Sequence, residues 1–356
     1  MRRGLALTLT VAMLGSLLAG CGSSGGGSAP KADATAAAAP AGGGTEEVTT
    51  PDKVLKFTDQ NAEDSPAGMW EQKFADLVKE YTKGHIEVEL YFNNTLCGYD
   101  IQPLQAGICD FIQYVPSSAG DLDSRLGAFD APYIYRDADH RLAVFDPFNS
   151  EPLKVINEAL KDDGVMLLSS FNSGYRQITC NFPIRNLSDM KGAKIRVVPS
   201  DLYQQLFTAF GAAATPMAFS EVPTALITNV IDGQENPYSV IVSSALYEVQ
   251  KYCMETNHLP TNHGLWMNRN TYESLTPEQQ EAVLKAAYDA SAYMDKYILD
   301  KVEEYKKICE DNGMEIIDAE NGLDIDGFKA AAENVYDYFA EDWGDIDRKS
   351  TRLNSS

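Results

Sequence analysis

The stretch TPEQQEAVLKAAYDASAYMDKYILDKVEEYKKICEDNG, residues 276–313, predicts one long helix. Thr276 is a suitable N-cap, Pro277 takes the first helical position and Gln279 completes a capping box. No glycine or proline interrupts the run before Asn312 and Gly313, which favour a helix end. Such a helix is roughly 50 Å long, whereas a small domain is about 30 Å across. We therefore expect it to join two domains with a ligand cleft between them, the alternative being a broken helix within one domain.

The rest of the chain alternates between strand-like and helix-like segments. HIEVELYF (85–92) alternates as a half-buried strand does, and GVMLLSSF (164–171) is apolar throughout, as in a strand covered on both faces. Trp70, Phe74 and Leu77 recur at helical spacing. This alternation predicts an α/β protein with largely parallel sheets.

Composition and charge narrow the classes of ligand. The 356 residues are 44% hydrophobic and 23% charged, which is normal for a globular protein, and the formal net charge is −23. Such an acidic surface argues against nucleic acid as a partner and repels anions at long range. Any anion-binding site must therefore be a local feature.

The N-terminus predicts export and a lipid anchor. MRRGLALTLTVAMLGSLLAGC has two arginines, a short apolar stretch and small residues before Cys21. It is similar to a bacterial lipobox, which implies a lipoprotein signal peptide over residues 1–20 and lipidation of Cys21; an ordinary signal peptide is the alternative. The Gly-, Ser- and Ala-rich segment that follows to residue 51 predicts a disordered linker.

The other cysteines and the histidines indicate neither a disulfide framework nor a metal site. Five cysteines remain, an odd number without a CxxC motif, so buried thiols are expected, although one disulfide is possible in an extracytoplasmic protein. The four histidines lack acidic or cysteine partners at ligand spacing. We therefore expect no metal and no cofactor.

Two arginines stand out in GYRQITCNFPIRNLSDMKGAKIRVVPS, residues 174–200. Arg176 and Arg196 each lie in a β-prone run beside apolar neighbours, whereas solvated arginines usually sit among lysines and glutamates on helices. An arginine within a strand is either a structural ion pair or a fixed cation that binds an anion. Both interpretations are open for each residue.

Several motifs carry a resemblance to a known family. GYRQIT, DMKGAKIRV, FGAAATPMAFSEVPTALITNVIDGQENP, YEVQKY and NHGLWMN follow one another between residues 174 and 268. In these motifs the chain resembles the DctP-type extracytoplasmic solute-binding proteins of TRAP (tripartite ATP-independent periplasmic) transporters, over about residues 54–343. The resemblance implies a two-lobed periplasmic-binding-protein-like α/β fold with two mixed sheets and an inter-domain cleft. Lobe I would comprise residues 52–173 and 262–301, and lobe II residues 174–261 and 302–346.

The resemblance also implies how the site is built. Arg196 would hold a ligand carboxylate through two hydrogen bonds, and Arg176 would add a second cationic contact. Asn236 would bond the same carboxylate, with capping of a turn before Pro237 as the alternative. Phe219 would form an aromatic wall, with core packing as the alternative. A planar guanidinium suits this role because it matches both carboxylate oxygens, which an ammonium group does not.

Other candidate residues rest on weaker grounds. Tyr238 and Trp266 are candidates for the cleft wall or for the core, while Asn61 and Glu63 would contact the far end of the ligand. The segment around Asn61, TDQNAEDSP, lacks a histidine that the family often has, and NTLCGYDIQPLQAG (94–107) departs from the commoner family pattern. These departures leave the identity of the ligand open.

The predicted function is that of a receptor rather than an enzyme. It would bind a small carboxylate, namely a C4-dicarboxylate, a sugar acid or a related oxo- or hydroxy-acid, and deliver it to a TRAP permease. We expect a monomer on the outer side of a bacterial membrane, held there by its lipid. GxSxG, HExxH, GxGxxG and P-loop motifs do not occur. The alternatives are a receptor for another transporter class or a sensor kinase, and a tethered enzyme.

The last ten residues, DRKSTRLNSS (347–356), shift abruptly to basic and polar types. They match the translation of a common sequencing-adapter read. We expect them to be an artefact, with the natural sequence continuing differently after residue 346.

Overall fold

The computed structural model describes residues 50–344 of the chain. The predicted signal peptide, the lipidation site Cys21, the linker as far as residue 49 and the tail 347–356 lie outside the described residues. Within residues 50–344, no helix is both long and apolar enough to cross a membrane.

The first of two sheets has five strands in the order β2-β1-β3-β10-β4. Strands β1 and β2 pair in parallel, as do β1 and β3, whereas β10 runs antiparallel to both β3 and β4. This sheet is the centre of lobe I. The strands are β1 (Lys53–Thr58), β2 (Ile86–Tyr91), β3 (Phe111–Tyr114), β4 (Val165–Asn172) and β10 (Asn262–Asn268).

The second sheet has six strands in the order β11-β9-β5-β8-β6-β7 and is the centre of lobe II. Strand β5 runs antiparallel to β8 and β9, and the other pairs are parallel. The strands are β5 (Gln177–Cys180), β6 (Lys194–Val197), β7 (Ala213–Pro216), β8 (Gly233–Asn236), β9 (Tyr252–Met254) and β11 (Glu315–Ile317).

Helices cover the sheets and connect the strands. The α-helices are α1 (Pro66–Tyr81), α2 (Gln102–Gln105), α3 (Ala138–Val144), α4 (Glu151–Ala159), α5 (Asp201–Ala209), α6 (Val222–Ile227), α7 (Tyr238–Ser243), α8 (Arg269–Glu273), α9 (Pro277–Asp311), α10 (Ile325–Tyr338) and α11 (Ala340–Trp343). Short 3-10 turns span Pro116–Ala119, Ser124–Asp130, Phe219–Glu221 and Leu246–Glu248.

Both sheets are mixed, so the expectation of largely parallel sheets was too simple. The antiparallel partners are β5 and β10, the strands that directly follow the two loop crossings between the lobes, at residues 173–176 and 255–261. A strand that arrives from the other lobe is not preceded by a βαβ crossover, so it is free to run against its neighbours. The two mixed sheets of a two-lobed fold are confirmed.

The long helix α9 confirms the prediction that opened the sequence analysis. Thr276 caps it, and its side chain and that of Gln279 form the reciprocal capping box. Val283 and Met294 pack in the core of lobe I together with α1 and β4. Near its other end, Cys309 packs in the core of lobe II. One helix therefore ties both lobes together.

The end of the described chain returns from lobe II to lobe I. Helix α10 packs on α5, and Trp343 of α11 is buried against Gly127. A Cβ on Gly127 would lie 2.6 Å from the Trp343 Nε1 atom, so this contact needs a glycine. The Tyr336 hydroxyl donates to the Pro132 carbonyl at 2.6 Å. Residues 336–343 therefore bridge the lobes instead of belonging to lobe II alone.

Candidate ligand-binding site

Three arginines are buried in the part of the chain between residues 50 and 344. Arg141 is 1% exposed, Arg196 3% and Arg176 6%. Arg141 is paired with Asp295, through contacts of 2.8 and 2.7 Å, and Arg176 is paired with Glu235. Arg196 has no carboxylate partner among the described residues. Because a buried cation without a counter-charge is costly, Arg196 marks the first candidate position for an anionic ligand.

Arg196 lies on β6, between β8 and β7 in the second sheet. Its Nε and Nη2 atoms donate to the Met217 carbonyl at 3.0 and 2.8 Å. The face formed by Nη1 and the second hydrogen of Nη2 has no partner among residues 50–344. That face is the end-on pair of donors that matches two carboxylate oxygens.

The neighbouring Arg176 is held by the protein itself. Its Nε bonds a Glu235 carboxylate oxygen, and Nη2 donates to the other oxygen at 2.9 Å and to the Glu235 carbonyl at 3.0 Å. Nη2 also donates to Asn236 Oδ1 at 3.0 Å. Only Nη1 is without a described partner, so Arg176 can offer a ligand one nitrogen but not a paired contact.

Electrostatics separate the two arginines in the same way. Burial lowers the pKa of Arg196 below its ordinary value, since no nearby carboxylate is close enough to offset the loss of water. Burial also opposes the charge of Arg176, but attraction to Glu235 outweighs it and raises the pKa of Arg176. Burial alone would raise the pKa of Glu235, whereas Arg176 and a bond from His258 lower it. The pair is therefore fully ionised.

His258 completes this buried network. Its Nε2 atom lies 3.3 Å from Glu235 Oε2, and its Nδ1 atom lies 2.8 Å from the Thr256 hydroxyl. Burial lowers the pKa of His258. A neutral imidazole at neutral pH adds a hydrogen bond to the carboxylate without adding a second cation beside Arg176.

Two of the other predicted residues lie with the arginines. Asn236 donates through Nδ2 to Gln234 Oε1 at 2.6 Å and keeps one further N–H. The Phe219 ring is 37% exposed, and its centroid lies 5.6 Å from Arg196 Cζ. The structure thus places Arg196, Phe219, Arg176 and Asn236 on adjacent parts of lobe II.

Tyr238 and Trp266 are located elsewhere. Trp266 is fully buried in the core, where its indole donates to the Tyr114 carbonyl at 2.8 Å. The Tyr238 hydroxyl donates to Glu255 Oε1 at 2.8 Å, and Tyr238 lines a cavity of about 240 Å³ beside α9. Arg141 is the buried arginine of that cavity, and it already has a carboxylate partner. We therefore do not place the anion site there.

The two candidates from the first loop of lobe I also lie apart from the arginines. Asn61 donates to both oxygens of Asp59 at 3.0 Å. Glu63 is exposed and lines a shallow surface hollow together with Gln72 and Asn93. Their predicted contact with the far end of a ligand has no support in this arrangement.

A cavity of about 480 Å³ lies between the two lobes. Arg176 and Tyr203 line it from lobe II, and Asp130 lines it from lobe I. Thr261, which the predicted boundary assigned to lobe II, lines it from the lobe I side, because its backbone bonds Asn172 and Ser173 at the end of β4. Arg196 does not line this cavity. Val198, two residues after Arg196 and just beyond the end of β6, does. The full lining is Val115, Ser117, Ser118, Asp130, Arg176, Val198, Pro199, Ser200, Tyr203, Pro260, Thr261 and Asn262.

Several of these residues were not predicted from the sequence. Glu235 stands directly before Asn236 in the fully buried strand GQEN, and an acid in such a strand is a signal for a buried ion pair. The Tyr203 ring lies 5.3 Å from Arg176 Cζ. Asp130 and Thr261 belong to loops, where periodicity carries no information about which way a side chain points.

Comparisons with known proteins agree on one family. Residues 57–342 match the profile of DctP, the bacterial extracellular solute-binding protein family 7. The 2,3-diketo-L-gulonate-binding periplasmic protein YiaO of Escherichia coli is 30% identical over 292 residues, covering 81% of this chain and 87% of that protein. The C4-dicarboxylate-binding periplasmic protein DctP of Rhodobacter capsulatus is 29% identical over 263 residues, covering 73% and 78%.

A solved structure shows the same fold. The TRAP periplasmic solute-binding protein of Roseobacter denitrificans with bound L-galactonate has a TM-score of 0.68 and 29% identity, covering 84% of this chain and 98% of that one. The two lobes, the inter-lobe cavity and the family profile lead to the same conclusion. This chain belongs to the family-7 bacterial extracellular solute-binding proteins, the DctP-type solute receptors of TRAP transporters.

Proposed function

We propose that this protein binds a small organic acid in the cleft between its lobes and passes it to a TRAP permease. Arg196 supplies the main contact to the ligand carboxylate. The observation that carries the proposal is the missing partner of Arg196: it is the one buried arginine among residues 50–344 that no carboxylate neutralises. A ligand carboxylate would supply that counter-charge in a closed cleft, where the attraction is strongest.

The free donors define the geometry of the bound carboxylate. Arg196 offers Nη1 and Nη2 as a parallel pair, while Arg176 offers Nη1 alone and Asn236 one N–H of Nδ2. The exposed Phe219 ring covers one side of the Arg196 guanidinium. A carboxylate bound by Arg196 thus receives two paired bonds, with single bonds from its neighbours as support.

The relatives support an organic acid as the ligand class. The protein from Escherichia coli binds 2,3-diketo-L-gulonate, that from Rhodobacter capsulatus C4-dicarboxylates, and the Roseobacter denitrificans structure holds L-galactonate. All of these compounds carry a carboxylate and differ in the remainder of the molecule. The common group is the one that an arginine recognises.

Delivery to a permease and attachment at Cys21 complete the proposal. Family membership supports a position outside the cytoplasm, and a lipid on Cys21 would keep the receptor near its membrane partner. Fractionation of cells that carry the Cys21→Ser variant in place of the natural chain tests the anchor. The variant should be released into the soluble fraction, and retention in the membrane would contradict lipidation at this residue.

Calorimetry on the purified protein tests the carboxylate site. Arg196→Ala should weaken binding of the best acid ligand by roughly 30-fold to several thousand-fold, as for a buried charge pair that loses one partner. Arg196→Lys should recover little, because an ammonium group cannot make the paired bonds. Arg176→Ala should cost less affinity. Arg185→Ala, which removes a half-exposed arginine of lobe II, is the matched control and should leave binding unchanged. A folded Arg196→Ala protein that binds within threefold of wild type would falsify the assignment.

A further inference from the structure

We propose that the natural ligand is a polyhydroxylated monocarboxylate, and that lobe I selects it by binding hydroxyl groups and rejecting a second carboxylate. This inference rests on the proposed function, since the arginine side of the cleft must hold the first carboxylate. The selecting residues are Asp130 and Thr261, which line the inter-lobe cavity opposite Arg176.

Asp130 is the acceptor of this wall. It is 6% exposed, and its Oδ2 atom accepts from the Ser117 backbone N–H at 2.9 Å. Its Oδ1 atom accepts from Asn262 Nδ2 at 2.8 Å. Burial raises the pKa of Asp130, while hydrogen bonds from the Ser117 side chain and backbone and from Asn262, together with the more distant Arg141, lower it. A carboxylate has about four lone-pair positions, so these three donors leave Asp130 able to accept a bond from a ligand hydroxyl group.

Thr261 presents an unused hydroxyl to the same space. Its Oγ1 atom is buried and has no hydrogen-bond partner among residues 50–344, although the residue lines the cavity. A buried hydroxyl without a partner is costly, and a ligand hydroxyl is able to satisfy both its donor and its acceptor capacity. Ser118 adds a second hydroxyl on the same wall.

The charges on this wall do not suit a second anion. Among the residues that line the cavity, the charged ones are Arg176 and Asp130, and Arg176 is on the opposite side, already paired with Glu235. Behind the lobe I wall, Arg141 donates to Asn262 Oδ1 at 3.3 Å. Asp295 neutralises Arg141. A second carboxylate that reaches this wall would therefore meet Asp130 without a cation to stabilise it, which is unfavourable for both groups.

Binding of four six-carbon acids tests two features separately: recognition of ligand hydroxyl groups and rejection of a second carboxylate. Hexanoate has one carboxylate and no hydroxyl, adipate two carboxylates and no hydroxyl, gluconate one carboxylate with hydroxyls, and galactarate two carboxylates with hydroxyls. Calorimetry at pH 7.5 on the full chain should give the tightest binding for gluconate, by about tenfold or more over the other three and over succinate. Tighter binding of adipate or succinate than of gluconate would overturn the inference.

Two variants locate the discrimination at lobe I. Thr261→Val removes a hydroxyl without a hydrogen-bond partner among residues 50–344, so the fold should be unaffected. Gluconate should bind at least about threefold more weakly, and adipate should bind unchanged. Asp130→Asn should lower the preference for gluconate over adipate by about tenfold. Asp162→Asn, an exposed acid of the same lobe, makes the same charge change and should alter neither affinity. An unchanged gluconate-to-adipate ratio in both Thr261→Val and Asp130→Asn would contradict the assignment.

The outcome distinguishes this inference from the proposed function. If Arg196→Ala abolishes binding of every acid while wild type prefers adipate or succinate, the carboxylate site stands and the selection by lobe I is wrong. If Arg196→Ala leaves gluconate binding intact, the carboxylate site itself is wrong, whatever the ligand preference.

Discussion

Arg141 and Arg196 are both buried, yet their surroundings are opposite. Arg141, beside α9, is bound by both oxygens of Asp295 and donates to the Ser170 carbonyl at 2.9 Å. Arg196, on β6 of lobe II, contacts one backbone carbonyl and one aromatic ring. The first arrangement is neutralised within the protein and needs no further ion. In the second, the protein supplies no carboxylate, and we propose that the ligand provides it.

Arg176 lies between these two cases. Glu235 neutralises it as Asp295 neutralises Arg141, but Arg176 still lines the inter-lobe cavity. A buried arginine is therefore structural where the protein supplies its counter-charge, and it is a candidate for ligand binding where the protein does not. Each prediction below changes one side of that difference.

The largest effect should come from removing the protein's own counter-charges. Asp295→Asn and Glu235→Gln each leave a buried guanidinium without its carboxylate, so each should lower the free energy of unfolding by about 3–5 kcal/mol. Urea denaturation of the ligand-free protein measures this. Asp300→Asn, one turn further along α9 and paired with Lys296 in an exposed bridge, is the control and should hardly change the midpoint. Stability close to wild type in both buried variants would remove the basis of the comparison.

The cost of a buried charge without a counter-charge also applies to His263 when it is protonated at low pH. Burial lowers the pKa of His263 to about 4, and its Nδ1 atom is buried without a described partner. Because the unfolded chain takes up this proton first, His263 contributes a loss of stability that begins as the pH falls below about 6.5 and continues to about 4.

Urea midpoints from pH 7.5 to 5 test this with His263→Gln. As the pH falls, wild type should lose unfolding free energy relative to His263→Gln by at most about 1.4 kcal/mol per pH unit. Comparing the two proteins cancels the opposite contribution of Glu71, whose pKa burial raises. A difference that stays constant over this range would show that His263 titrates normally.

A smaller effect should follow from the ring beside Arg196. Phe219→Ala removes a cation–π contact that is partly exposed, worth about 0.5–1 kcal/mol, so acid ligands should bind roughly two- to fivefold more weakly. Phe219→Leu keeps most of the apolar bulk without the aromatic face. If leucine restores wild-type affinity, Phe219 acts by excluding water, and the cation–π explanation is wrong.

The sequence predicted the elements of the fold better than their pairing. The cap at Thr276 and the uninterrupted run to residue 311 are local signals, and the helix lies where they indicated. The antiparallel direction of β5 and β10 was not predictable from periodicity, because it depends on the chain crossing between the lobes twice. Local patterns specify a strand but not its neighbour.

The site divides in the same way. Arg176 and Arg196 were found because an arginine in a β-prone run is unusual. The sequence left open which of them is a structural pair, because that depends on Glu235, almost 60 residues away from Arg176 and reached through the pairing of β5 with β8. Asp130 and Thr261 were missed since loop positions give no facing information. Charge in a strand is visible in sequence, but its counter-charge is a tertiary feature.

The smallest expected effect is also the sharpest test of the comparison. Arg196→Met should leave the unfolding free energy of the ligand-free protein within about 1 kcal/mol of wild type, since it removes a desolvated cation that no carboxylate neutralises. The Met217 carbonyl loses two donors, but it belongs to a partly exposed residue that water can reach. Arg141→Met, the matched change, strands the buried Asp295 and should cost about 3 kcal/mol or more. With a saturating acid ligand, wild type should become clearly more stable than Arg196→Met, because wild type gains stability from binding and the variant does not. A loss in ligand-free Arg196→Met as large as that in Arg141→Met would mean that the protein does supply a counter-charge to Arg196, and the anion would have to bind elsewhere in the cleft.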